Sequence, residues 1–198
     1  MEKKGAYTII IVVAAVVIVA ALAYLLGTRS KTPATNDKQQ GSQYSNNGSY
    51  PQGAGIVNYN EILGDLKARL AEKPNDWDLN ARIADIYFGM RQYNEAIGYY
   101  KKAVKLNKED VDSYNDLGLA YFYLQRPADG LTYVDAGIKI NPKYQRIWLT
   151  KGFMLAYGFG DRRKEAIEAW KKAEAIDPSS DVAVAARKYL EAEGVTKR

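Results

Sequence analysis

Apolar and polar positions divide the chain into three stretches. Residues 5–28, GAYTIIIVVAAVVIVAALAYLLGT, are one apolar run without a charged side chain. Residues 29–57 are mostly Ser, Asn, Gln, Gly and Pro, with almost nothing to bury. From residue 58 onward, apolar positions recur at helical spacing and no alternating strand pattern occurs. Ile62, Leu66 and Leu70 share one face of a leading helix that Pro74 stops. The closing helix, 181–193, takes Ser180 or Asp181 as its cap.

Between these two helices the pattern repeats. NEAIGYYKKAVKLN, starting at Asn94, echoes in ADGLTYVDAGIKIN 34 residues later and in KEAIEAWKKAEAID 70 residues later. Units of about 77–110, 111–144 and 145–180 follow, each a first helix, a polar or Gly turn, and a second helix. The step from Tyr87 to Ala96 is 9 residues, as is that from Tyr121 to Gly130, but Leu155 to Ala166 takes 11. The excess is expected in the turn YGFGDRR, where glycines flank Phe159 and allow it to be displayed as a contact loop. Asp161 is the expected N-cap of the helix that follows.

Composition removes much chemistry. The chain has no Cys and no His, so thiol nucleophiles, disulfides, Cys/His zinc sites and histidine acid–base catalysis are excluded. No Gly-rich phosphate loop or framed pair of carboxylates occurs, and no enzyme activity, cofactor, metal or small-molecule substrate is expected. Net charge is +5; five basic and two acidic residues precede Tyr59, which leaves +2 spread over both signs. That balance points away from nucleic acid.

The apolar run has the length of a bilayer-spanning helix, with Tyr7 and Tyr24 near its ends. It reads as an uncleaved signal anchor, with the linker 29–57 as a disordered tether reaching about 30 Å r.m.s.. A cleavable signal peptide ending at Ala21–Ala23 and a pilin-like leader are the competing readings; Ile10 stands where a pilin leader needs Glu. Lys3 and Lys4 precede the run and Arg29 and Lys31 follow it, so charge barely decides orientation. The short basic N-terminus favours a cytoplasmic N-terminus and a domain outside the cytoplasm, on a bacterial inner membrane.

The repeat resembles the tetratricopeptide repeat (TPR) family. The middle unit has Tyr114, Leu117, Gly118, Tyr121, Gly130, Val134 and Pro142 at the family's signature positions. The first unit has Ile83, Ala84, Tyr87, Ala96, Tyr100 and Ala103; the third has Trp148, Gly152, Leu155, Ala166, Trp170, Ala173 and Pro178. Asn80 replaces the first Trp, Lys151 the third Leu, and Gly130 the usual Ala. The resemblance implies an all-α solenoid of about eight helices: three hairpins between leading and capping helices. Tyr87, Tyr100 and Tyr121 become core, while Tyr99 and Tyr133 stand toward the surface. Leu66, Arg69, Leu70, Pro74 and Asp76 also resemble the start of membrane-anchored TPR subunits of bacterial cytochrome c maturation systems.

The resemblance implies a concave groove lined by the first helix of each unit. Its positions fall on Asp78, Ala81, Asp85, Phe88 and Gly89; on Asp112, Asn115, Leu119, Phe122 and Tyr123; and on Arg146, Leu149, Phe153, Ala156 and Tyr157. Tyr189 of the cap faces the same space. Rigid aromatics with a few polar groups suit a protein or peptide partner with apolar anchors and a basic end. Packing between helices accounts for Phe122, Leu149 and Phe153 equally well. Ala81 and Asp85 do not form a Lys/Asn carboxylate clamp. A membrane-tethered binding scaffold, an assembly subunit of an envelope complex and a homo-oligomer remain open.

Overall fold

The computed structural model describes residues 58–195; the expected anchor and linker lie outside the described residues. The chain separates at residue 58 into two units, of which the second is the described domain. That domain is eight helices: α1 Tyr59–Glu72, α2 Trp77–Gly89, α3 Tyr93–Leu106, α4 Val111–Tyr123, α5 Pro127–Ile140, α6 Gln145–Gly158, α7 Arg163–Ile176 and α8 Asp181–Ala192. None of them is long and apolar enough to cross a membrane.

Local signals set most helix ends. Asn58, Asp76, Asp110 and Ser180 each accept a backbone N–H of the first turn of α1, α2, α4 and α8. Pro127 opens α5, where its missing N–H costs nothing. At the end of α2, Arg91 takes φ 60°, its N–H donating to Phe88 and that of Gln92 to Tyr87. Gln125 and Arg126 repeat this on Phe122 and Tyr121, and Gly194 and Val195 on Glu191 and Leu190. This is the Schellman closure, which satisfies two carbonyls left over at a helix end.

Hairpins α2–α3, α4–α5 and α6–α7 stack in order, with α1 against α2 and α8 against α7. The first helices form an inner layer, in which α6 touches both α4 and α8. Leu63 and Leu66 of α1 close the leading end against Leu79, Ile83 and Ile86. Small residues admit the close crossings. A Cβ on Gly130 would lie 2.4 Å from the Gly118 carbonyl oxygen, which explains the departure from Ala. A Cβ on Gly152 would lie 2.3 Å from Trp170, whose indole fills that space, fully buried.

Two local expectations need correction. The two-residue excess is not confined to the turn. α6 has 14 residues against 13 for α2 and α4, so one extra residue lengthens the helix and the other lengthens the turn. Phe159 then leaves in an extended conformation, at φ −138° and ψ 126°, in place of the Schellman closure. Gly158 is there for space, since a Cβ would come within 2.6 Å of Pro127. Nor does Asp161 cap α7. Arg162 holds that position without a side-chain cap, and its guanidinium reaches Glu165 at 2.6 Å across the first turn.

Candidate functional site

The C-terminal ends of the first helices bring aromatic rings into one continuous series. Phe88 of α2 meets Tyr93 at 5.4 Å and Tyr123 at 5.7 Å between ring centroids. Tyr93 stacks on Tyr123 at 5.1 Å. Phe122 joins Tyr123 to Phe153 of α6, at 5.7 and 5.0 Å. Phe153 meets Tyr157 at 5.0 Å and Tyr189 at 6.4 Å, and Tyr189 stacks on Trp170 at 4.7 Å. Edge-on and offset pairs at these spacings are favourable beyond their burial.

The series grades from core to surface. Phe88 and Tyr189 are buried; Phe122, Tyr123 and Phe153 are half-buried; Tyr157 is 44% exposed. Burial raises the phenol pKa of Tyr93, Tyr123, Tyr157 and Tyr189 above the ordinary value, so these rings stay neutral. The rings are therefore uncharged and apolar, with hydroxyls at intervals, and Arg91, Arg163 and Glu193 stand near them. Tyr93 was not a groove position by sequence. It is the first residue of α3, and the three-residue turn before it carries the chain back beside Phe88. The equal turn lengths of the first two units are the signal that could have found it.

The N-terminal ends of α4 and α6 hold a different arrangement. Arg146 is buried, its guanidinium 2.9 Å from Asp116 and 3.6 Å from Asp112. The Tyr144 hydroxyl donates to Asp112, and the Asn115 amide donates to Asp116 at 2.8 Å. Burial alone would lower the Arg146 pKa; Asp116, Tyr144 and Asp112 outweigh it and hold it above the ordinary value. Burial likewise pushes Tyr144 up, so its proton stays available for the bond to Asp112. Arg146 here ties the second unit to the third.

The remaining predicted positions are scattered. Asp85 accepts the Tyr100 hydroxyl at 2.7 Å within its own hairpin. Asn115 is fully enclosed and Leu119 buried, while Leu149 is half-buried. Phe159 lies under the Arg162 guanidinium, 5.1 Å from its ring centroid. Tyr99 and Tyr133 are half-buried, stacked on Tyr87 and Tyr121 at 5.6 and 5.5 Å. Gln145 spans the third unit, donating to the Ala173 and Asp177 carbonyls at 2.6 and 2.9 Å.

Comparison with known proteins agrees with this architecture. Residues 84–125 match the TPR repeat. The crystal structure of MamA superposes with a TM-score of 0.59 at 22% identity, over 69% of this chain and 80% of that one. TTC0263, a thermophilic TPR protein of Thermus thermophilus, gives 0.59 at 21% identity, over 69% and 75%. The TPR domain of Arabidopsis OM64 gives 0.53 at 21% identity, over 59% and 95%. None of the curated proteins compared with the chain matches it. The described domain has the helical-hairpin fold of TPR proteins, and residues 84–125 within it are what the TPR repeat model matches.

Proposed function

We propose that the chain is a membrane-tethered scaffold that binds a protein partner and performs no chemistry. Residues 5–28 anchor it, residues 29–57 give it reach, and the helical-hairpin domain stands outside the cytoplasm of a bacterial cell. The site is the aromatic edge of the inner layer: Phe122, Tyr123, Phe153 and Tyr157, backed by Phe88, Tyr93 and Tyr189. One observation carries the reading. The ring series runs through three consecutive first helices and includes Tyr157, a large aromatic left 44% exposed. Rings held by their neighbours lose little entropy when a partner covers them, which is how binding hot spots gain affinity. The fitting partner presents two or three apolar side chains along an extended or helical segment.

The competing role is that of an assembly subunit of an envelope complex, pointed to by Leu66, Arg69, Leu70, Pro74 and Asp76. Affinity purification of the full chain from detergent separates the two. Phe122→Ala with Phe153→Ala removes the co-purifying partner if the edge binds it, provided the variant's melting curve remains cooperative. A partner retained by that folded variant assigns binding to another face. Orientation has its own check. Alkaline phosphatase fused after Arg198 is active if the domain is exported and inactive, though stable, if it is cytoplasmic.

A further inference from the structure

Cations on the second helices are held in two different ways. Around α7, Lys171 pairs with Glu168 at 2.8 Å and Arg162 with Glu165 at 2.6 Å, while Lys164 and Lys172 form no ion pair among the described residues. Around α5, Arg126 meets Asp129 and Lys151 meets Asp135, each at 2.7 Å. The exposed face of α3 carries Lys101, Lys102, Lys105 and Leu106. Its one acid, Glu95, stands six residues before Lys101, about 9 Å along the helix. No ion pair forms to these three lysines among the described residues.

Tyrosine rings take the place of acids. Lys102 lies 5.0 Å from the Tyr99 ring centroid and Lys101 lies 5.5 Å from that of Tyr121. From α1, Lys67 donates to the Tyr87 hydroxyl at 2.7 Å, and Tyr87 stacks on Tyr99. A ring attracts an ammonium group without cancelling its charge. Hydrogen bonds to Tyr87 and Tyr121 raise the pKa of Lys67 and Lys101, so both remain cations. Four cations without ion pairs therefore line α1 and α3, with Glu95 six residues before Lys101 and Glu109 four residues after Lys105 as the acids nearest the α3 lysines in sequence. Leu106, 42% exposed, lies beside Lys102 and Lys105 on the same face. Cations around an exposed leucine, with tyrosines at half depth, are what a surface at the headgroup boundary of a bilayer requires.

We propose that the outer face of α3, with Lys67 of α1, docks on anionic phospholipid headgroups. The proposal rests on the anchored reading of residues 5–28 only in that the anchor keeps a bilayer within reach. α1 directly follows the linker in sequence, so the patch sits on the first elements of the domain. Docking here leaves the inner-layer aromatic edge on other helix faces free for its partner. Each lysine near an anionic surface strengthens association about fivefold, and the effect fades over a Debye length of about 8–10 Å.

Lysine acetylation rates in the full chain test this directly. The chain is reconstituted into vesicles of phosphatidylcholine alone, or of phosphatidylcholine with one quarter phosphatidylglycerol, and read by mass spectrometry. Acetylation of Lys101, Lys102 and Lys105 is expected to slow about fivefold or more on the phosphatidylglycerol vesicles and to recover in high salt, with Lys139 and Lys143 unchanged. In the triple variant Lys101→Glu, Lys102→Glu, Lys105→Glu, Lys67 loses its protection. Equal rates on the two vesicle types overturn the proposal. Equal protection by a single-stranded polynucleotide, added to phosphatidylcholine vesicles, also overturns it by making the patch a general polyanion site. Flotation on neutral vesicles judges the anchor separately. A chain that fails to float removes the anchor, and the same acetylation comparison with vesicles added from outside still decides the patch.

Discussion

The second and third hairpins share a fold but not the way they are held. α4 begins at Asp110, a local cap, and ends in a Schellman closure at Gln125. At the equivalent positions the third hairpin has Tyr144, which caps nothing, and Phe159, which leaves extended. Its first helix is fixed instead from outside: Tyr144 and Arg146 bind Asp112 and Asp116 of α4, and Gln145 binds carbonyls at the end of α7. A regular unit can be stable by its own termini. An irregular one depends on its neighbours, and that dependence makes the repeat boundary a strong joint.

The largest break in this comparison comes from Asp116→Ala. It leaves the buried Arg146 with less than its full set of partners and is expected to cost about 3–5 kcal/mol in denaturant unfolding of the full chain. Replacing Arg146 and Asp116 together with leucine recovers most of that loss; a double variant as unstable as the single one would show that this ion pair is not what holds the two units together. Next comes Gly130→Ala, expected to cost about 1–3 kcal/mol because its Cβ meets the Gly118 carbonyl oxygen. The same change at Gly98, where a Cβ meets nothing within 4 Å, stabilises by up to about 1 kcal/mol.

A third change makes the irregular hairpin locally regular. Tyr144→Asp supplies the cap that α2 and α4 have, a gain of about 1 kcal/mol, but removes the hydroxyl bond to Asp112, a loss of about 1.5–3 kcal/mol. Net destabilisation on the order of 1 kcal/mol is expected. A more stable variant would show that the third hairpin, too, is governed by its termini. A smaller effect is expected from Gln125→Gly, which relieves a left-handed backbone and raises stability by a few tenths to about 1 kcal/mol. Gly160→Ala changes it by less than about 0.5 kcal/mol, because that turn has no positive φ among its residues.

Helices and hairpins were legible in the sequence because their causes are local. Apolar spacing, the cap at Ser180, and the small residues at crossings all act within one unit or its near repeat. The shared 34-residue register also placed Phe88, Phe122, Tyr123 and Tyr157 at one edge. Register alone does not tell a free side chain from an engaged one. Asp85 and Arg146 occupy groove positions, yet their partners, Tyr100 and Asp116, come from helices 15 and 30 residues away. The split of the two extra residues was hidden for a similar reason. Whether a glycine ends a helix or flexes a turn depends on Pro127, which only the folded stack brings beside Gly158.

Site-specific photocrosslinking in native membranes tests whether the aromatic edge holds a protein partner. A photoreactive phenylalanine analogue replaces Tyr157 at the exposed end of the aromatic edge, and in a parallel chain it replaces Lys139 on the exposed side of α5. A discrete protein adduct is expected from position 157, absent from position 139, and lost when Phe122→Ala and Phe153→Ala are added to a chain that still melts cooperatively. An adduct from position 139 alone, or one from 157 that survives those two changes, would contradict binding at that edge.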